Sequence, residues 1–194
     1  MQQLNRQRSL LDERIAFFRG FLKRPNEVAS VIPSSRFMER RLTKIARLHT
    51  ARVVVELGPG TGGTTRAMLR AMNPRARLLC IELQPDFVAG LAHVGDPRLS
   101  VFHGSAEWIQ RALDEHGLPQ PDVVISGIPF STLPGGVGQR VVQAVHQALV
   151  PGGHFVAYQM RKRVAELATP VFGKPETEIE LLNVPPMWVF SWRK

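Results

Sequence analysis

The stretch Val53-Val54-Val55-Glu56-Leu57-Gly58-Pro59-Gly60-Thr61-Gly62 constrains this chain most, because a β-branched run delivers an acid and then breaks into closely spaced glycines. Three consecutive valines favour a strand buried on both faces, as in a parallel sheet. Glycines at 58, 60 and 62 tolerate positive φ and let the backbone approach a ligand where a Cβ would collide. In open sheets of this type, ligands bind in the crevice beyond the carboxyl ends of the strands. Glu56 and the glycine loop are therefore expected to line a binding site rather than a core.

From residue 51 onward strand and helix patterns alternate, which implies an α/β sheet covered on both faces. Strands are predicted near 52–57, 77–82, 99–103, 121–126 and 153–159, with helices near 62–72, 86–93, 106–116, 138–149 and 161–168. Two further strands, 178–183 and 187–192, are expected to meet across Val184-Pro185-Pro186 as an antiparallel pair.

Gly58, Gly60 and Gly63 also satisfy G-x-G-x-x-G, and Glu82 closes the next apolar strand, where an acid accepts the hydroxyls of a ribose. A ribose belongs both to a nicotinamide dinucleotide and to S-adenosylmethionine, so those residues leave both cofactors open. Glu56 ahead of the glycines, Pro59 inside the loop and fifty residues before the first strand resemble the class I S-adenosylmethionine methyltransferases, whose first motif reads E-x-G-x-G-x-G. The resemblance implies a Rossmann-like fold with a seven-stranded, mostly parallel sheet, one antiparallel strand and helices on both faces.

A length of 194 residues suits one domain of 51–194 preceded by an extension of 1–50. Hydrophobic content of 44% and charged content of 21% are those of a globular chain, and no apolar run approaches a membrane span. The N-terminus lacks the apolar segment and cleavage site of a signal peptide, so a cytoplasmic location is expected. The single cysteine, Cys80, excludes an internal disulfide and is expected to pack as a small apolar residue. His, Asp and Glu do not fall at metal-ligand spacing, and no metal is expected.

Of the net charge of +9, +7 resides in residues 1–50, which hold eleven Lys/Arg against four acids. The extension is thus a cationic module whose expected partner is anionic. Leu4, Leu11, Ile15, Phe18 and Leu22 recur at helical spacing, Leu10, Phe17 and Phe21 widen the stripe, and Arg6, Arg8, Arg19, Lys23 and Arg24 border it before Pro25 ends the pattern. Two readings stay open: an amphipathic helix lying on a membrane, or a basic helix packing on the domain. A second helix is expected after Ser34 or Ser35 as N-cap, with Phe37, Met38, Leu42, Ile45 and Leu48 buried.

After the third strand, Ser105 either reaches a ligand or caps the next helix. The fourth strand ends in Ser126-Gly127-Ile128-Pro129-Phe130, an apolar turn that offers main-chain carbonyls. An amine acceptor in methyl transfer needs its lone pair aimed at the methyl carbon, and carbonyl or hydroxyl oxygens would orient it. Ser126, Gly127, Ile128 and Pro129 are therefore candidate substrate-positioning residues, and Tyr158 at the end of the fifth strand is a further one. Asp122 sits too early in its strand to reach the site. No base stands out, since His103 and His154 read as ordinary half-buried histidines.

Ile32-Pro33-Ser34-Ser35, the glycine motif, Ser126-Gly127-Ile128-Pro129 and the closing Asn183-Val184-Pro185-Pro186 together resemble the bacterial phospholipid N-methyltransferases related to the rRNA adenine dimethylases. The resemblance runs from about Phe17 to Arg193. It implies methyl transfer from S-adenosylmethionine to the headgroup amine of phosphatidylethanolamine towards phosphatidylcholine, with S-adenosyl-L-homocysteine as product. It also implies that Glu56, Gly58, Gly60, Gly62, Glu82 and Leu83 bind the cofactor, together with Ser34, Ser35, Ser105, Ala106 and Ser126. Ser34, Ser35 and Ser126 to Pro129 would border the acceptor pocket. The implied partners are an anionic membrane surface and a phospholipid, with no nucleic acid, and the enzyme would be a monomer lying peripherally on the inner face of the cell membrane.

The chain departs from that family at Ile128, where Leu is commoner, and in the Phe-Ser-Thr-Leu-Pro that follows Pro129. An RNA adenine N-methyltransferase, or a methyltransferase of another amine lipid such as an ornithine lipid, is the alternative. Against RNA, adenine methylation places Asn or Asp where Ser126 stands and an aromatic that stacks on the base. Here only Phe130 could stack.

Overall fold

The computed structural model describes residues 35–183 and 185–194. Seven strands form one sheet: β1 (Val53–Leu57), β2 (Arg77–Glu82), β3 (Leu99–His103), β4 (Val123–Ser126), β5 (His154–Gln159), β6 (Glu176–Glu180) and β7 (Met187–Arg193). Their order is β3-β2-β1-β4-β5-β7-β6, with β7 antiparallel to both neighbours and the other pairings parallel. The order reverses between β1 and β4, so the crevice of a doubly wound sheet opens above Leu57 and Ser126, which are register partners.

The alternation of faces along β1 separates two cores. Val55 and Leu57 belong to one, with Leu79, Ile81, Val124 and Phe155. It is covered by α4 (Ile109–Glu115), α5 (Val137–Ala148) and α6 (Arg163–Phe172). Val54 belongs to the other, with Leu78, Cys80, Ile125 and Val156, under α1 (Arg36–Ile45), α2 (Gly63–Ala71) and α3 (Pro85–Ala92). Helices on both faces and the reversed strand agree with the fold read from the sequence.

Ser35 is the N-cap of α1, its hydroxyl accepting the Met38 N–H at 3.2 Å. Met38, Leu42, Ala46 and Leu48 are fully buried in the same core as Val54 and Met68, so residues 36–48 are built into the body. Phe37 departs from the expectation of burial. It lies about 100° round the helix from Met38, on the side of Arg41 and Lys44, and is 49% exposed. Ile45 is only half-buried for the same reason.

Two boundaries also differ from the sequence reading. β6 ends at Glu180 rather than 183, because Leu182 N–H turns back to Glu180 Oε1 at 3.0 Å and the Asn183 side chain is drawn inward. α6 begins at Arg163 and runs through Pro170 to Phe172. The expected N-terminal amphipathic helix and Ser34 lie outside the described residues. Among those described, no helix is long and apolar enough to cross a membrane.

Candidate active site

β1 carries Glu56 to the mouth of the crevice and the chain then turns through Gly58 (φ +70°), Gly60 (φ +56°) and Gly62 (φ +78°), a path that disfavours any side chain. Gly58 has a second constraint, since a Cβ there would meet Ile128 Cγ1 at 3.0 Å. The glycine loop and the turn after β4 therefore touch. A Cβ at Gly60 would meet nothing within 4 Å, which leaves that part of the loop open to a ligand.

Glu56 is fully buried. One carboxylate oxygen, Oε2, accepts from Thr65 Oγ1 at 2.5 Å and from Cys80 Sγ at 3.4 Å, while Oε1 has no hydrogen-bond partner among the described residues. Burial pushes this carboxyl up to about 7, against the downward pull of the Thr65 and Cys80 hydrogen bonds. Cys80 is thus buried as expected, but its thiol serves the acid as well as the core. An orphaned carboxylate oxygen at a strand end is a site for a ligand donor, and the cationic amine of S-adenosylmethionine is such a donor.

Glu82 ends β2 one strand away. Its Oε2 accepts from Gly60 N at 3.1 Å and its Oε1 accepts from Leu83 N at 2.8 Å and Gln84 N at 2.9 Å. Burial raises its pKa, and those three backbone N–H groups oppose the rise. These bonds fix the carboxylate at the carboxyl edge of β1 and β2, where lone pairs remain for a ribose. Leu83 takes part through its backbone: its carbonyl also lies 3.1 Å from His103 Nε2. His103 is exposed, not half-buried.

Ser105 Oγ accepts the Glu107 N–H at 3.3 Å and caps the single 3₁₀ turn Ala106–Trp108, so the capping alternative is the one observed. Ala106 is buried beneath it. Ser126 is fully buried, and its Oγ accepts the Ile128 N–H at 3.3 Å. In this structure its hydroxyl shapes its own turn. Gly127 sits under Tyr158, whose hydroxyl is 2.5 Å from where a Gly127 Cβ would stand and 3.3 Å from Thr64 Oγ1. Tyr158, Gly127, Ile128 and Gly58 thus converge on one wall of the crevice. Pro129 leads into the short 3₁₀ turn Phe130–Thr132, and Phe130 is buried in the core rather than presented for stacking.

Three contributors carry no recognisable spacing in the sequence. Gln159 is buried, and its Nε2 donates to the Ile128 carbonyl. Thr64 and Thr65, on the first turn of α2, serve Tyr158 and Glu56; polar residues in an otherwise buried helix start were their one signal. Asn183 Oδ1 accepts the Ser35 N–H at 2.9 Å and its Nδ2 donates to the Pro185 carbonyl at 2.9 Å, so two distant motifs meet. Asp122 and His154 stay at the opposite, amino end of the sheet. Asp122 Oδ2 accepts from Arg52 N at 2.8 Å and Val53 N at 3.0 Å, and His154 opens β5. A groove of about 930 Å³ between α1 and the outer face of β6 and β7 includes neither Glu56 nor Glu82.

A buried acid near the end of β1 with one oxygen left without a partner among the described residues, a glycine turn beyond it and a second acid at the end of β2 fit an adenosyl cofactor with a cationic tail. The methyltransferase domain family matches residues 55–155, more than half of the chain. The chain belongs to the S-adenosylmethionine-dependent methyltransferases. It is 32% identical over 141 residues to an ornithine lipid N-methyltransferase of Singulisphaera acidiphila, a match that spans 72% of this chain and 73% of that one. It is 34% identical over 95 residues to the ribosomal RNA small subunit methyltransferase A of Caulobacter vibrioides, but there spans 47% of this chain and only 34% of the relative. Among solved structures, the N-methyltransferase NodS from Bradyrhizobium japonicum aligns with a TM-score of 0.63 over 81% of this chain and 96% of its own, at 14% identity. That identity carries the methyltransferase fold alone.

Proposed function

We propose that this methyltransferase transfers methyl groups from S-adenosylmethionine to the primary amine of a membrane lipid. The observation that carries the proposal is the 32% identity to an ornithine lipid N-methyltransferase across nearly three quarters of both chains. Ornithine lipid is on that ground the first acceptor to test. Phosphatidylethanolamine, which the sequence motifs suggest, is the second. Both present a primary amine beside an anionic group.

When bound, the cofactor supplies a methyl group on a positively charged sulfur, which an amine attacks in line. What the protein's residues contribute is position. Gly58 lets the glycine loop abut Ile128, and Gln159 and Ser126 hold the two ends of the Ile128 peptide environment, carbonyl and N–H. The turn they fix lacks the Asn or Asp side chain that an adenine amine would use. Tyr158, resting on Gly127, supplies a hydroxyl on the same wall. The buried carboxyls of Glu56 and Glu82 favour a cationic ligand. Among the described residues His103 holds its Nε2 against the Leu83 carbonyl and His154 lies at the start of β5, so neither stands as a base; the ammonium proton leaves before attack, to water or to a nearby base. Geometry that fixes nucleophile and methyl carbon together supplies most of the rate.

Work on a bilayer would place the protein peripherally on the inner face of the cell membrane, with the cationic residues 1–24 as one contact. Incubation with methyl-labelled S-adenosylmethionine and, separately, total lipid and total RNA tests the reading. Label in lipid alone supports it, and label in RNA alone replaces it with the adenine-methylating alternative.

A further inference from the structure

Four of the five large hydrophobic side chains that stand exposed among the described residues lie at one rim of the body: Phe37 (49%), Met160 (39%), Leu181 (66%) and Leu182 (61%). Strand register places them together. Gln159 of β5 pairs with Trp188 of β7, and Met187 pairs with Glu180 of β6, so Met160 and Leu181 extend next-but-one strands at nearly the same level. Two strand spacings put them about 10 Å apart. Phe37 joins them from α1, because Ser35 is bonded to Asn183 and because Phe37 and Leu182 line the same groove.

Among the described residues, the charge around this rim that no ion pair offsets is positive. Arg36 and Arg40 on α1 and Arg161, Lys162 and Arg163 after Met160 are all exposed. Lys162 Nζ sits 4.2 Å above the Trp188 ring, which fastens the segment after β5 to the start of β7. The nearest acids are engaged: Glu178 and Glu180 with Arg41, Glu166 with Arg163, and Glu39 with Arg70. Exposed apolar side chains bordered by Arg36, Arg40 and Arg161, which pair with no acid among the described residues, match a bilayer surface that is anionic outside and apolar below.

We infer that this rim, formed by the start of α1, the β6–β7 turn and the end of β5, is a membrane-docking surface for anionic lipid, separate from residues 1–24. It rests on the amine-lipid reading and deepens it. Met160 is one residue from Gln159, which holds the acceptor turn, so docking here brings the crevice to headgroup level. The leucines enter the acyl boundary while the arginines and Lys162 meet phosphates.

The test uses the full chain with Leu182→Cys carrying an environment-sensitive fluorophore; native Cys80 is fully buried and does not compete for label. Gln120→Cys, exposed at the amino end of the sheet, is the control. Vesicles of one part phosphatidylglycerol to three parts phosphatidylcholine contain no acceptor amine, so the outcome does not depend on methylation. Emission from position 182 should move to the blue on vesicle addition, and emission from position 120 should not. A Leu181→Ser/Leu182→Ser variant should bind the same vesicles about tenfold or more weakly, with an unchanged melting temperature. No shift at 182, an equal shift at 120, or a 182 emission already blue without lipid because residues 1–34 or a second copy cover the leucines would each overturn the inference. A shift at 182 in a protein that methylates no lipid would leave docking standing and remove the amine-lipid reading.

Discussion

The side-chain amide of Gln159 donates to the main-chain carbonyl of Ile128, joining the end of β5 to the turn that follows β4. Both partners are buried, so each would be costly to leave unsatisfied. The bond holds the turn that the glycine loop abuts at Ile128. Gln159→Leu should lower kcat about tenfold or more and cost roughly 1–3 kcal/mol of stability, from the orphaned carbonyl. Cofactor affinity, measured by calorimetric titration, should stay within about twofold, since none of the Glu56 or Glu82 contacts is touched.

Gly127 is predicted to be intolerant of a single methyl group. A Cβ there would stand 2.5 Å from the Tyr158 hydroxyl and 2.9 Å from Tyr158 Cζ, so Gly127→Ala must displace either the ring or the turn. Activity should fall by about tenfold or more, as misplacement of reacting groups does. Adding Tyr158→Phe removes the closest atom and should restore part of the packing, read as a higher melting temperature for the double variant than for Gly127→Ala alone.

The fold and the cofactor loop were legible because they follow from periodicity and glycine chemistry. The β-branched run at 53–55, the acids ending β1 and β2 and the alternation of strand with helix each have a local cause. Phe37 was misread because an apolar residue beside a buried one looks like core until the helix phase is known, and the phase is set by where α1 packs. The end of β6 was misread because Leu181 and Leu182 have strand-like character, whereas the buried Asn183 side chain ends the strand through bonds to Ser35 and Pro185. No spacing marks Gln159, Thr65 and Thr64, whose partners are 31, 9 and 94 residues away.

Asn183 ties its own turn to the start of α1 with one buried side chain. Asn183→Ala removes the acceptor for Ser35 N–H and the donor to Pro185, and should cost about 2–4 kcal/mol in chemical denaturation. The loss should exceed that of Ser35→Ala, which removes only an N-cap, worth about 1 kcal/mol.

Glu56 gives a pH dependence with a defined sign. Its carboxyl stands at about 7 in the fold against 4.5 as its ordinary value, because burial outweighs its hydrogen bonds. Below about pH 4.5 it is neutral folded or unfolded. As pH rises from there towards 7 the unfolded chain ionises first, so stability of the cofactor-free protein falls, by about 3 kcal/mol in all, and levels off above that window. Glu56→Gln should abolish this slope. Cofactor affinity should run the other way in the wild type, rising about tenfold between pH 6 and 7.5 as the carboxylate forms to meet the cationic ligand. Thermal melts and titrations at the two pH values separate the two effects.

Methylation of a lipid amine in the crevice above β1 and β4 can be read directly. Its most direct measurement supplies one preparation of the full chain with methyl-labelled S-adenosylmethionine and mixed vesicles holding ornithine lipid and phosphatidylethanolamine, followed by mass spectrometry of each lipid. Mass increments of one or more methyl groups are expected on an amine headgroup, lost in Glu56→Gln and sharply reduced in Gln159→Leu. Cofactor binding with no methyl group on either lipid, and label recovered in added RNA instead, would contradict it.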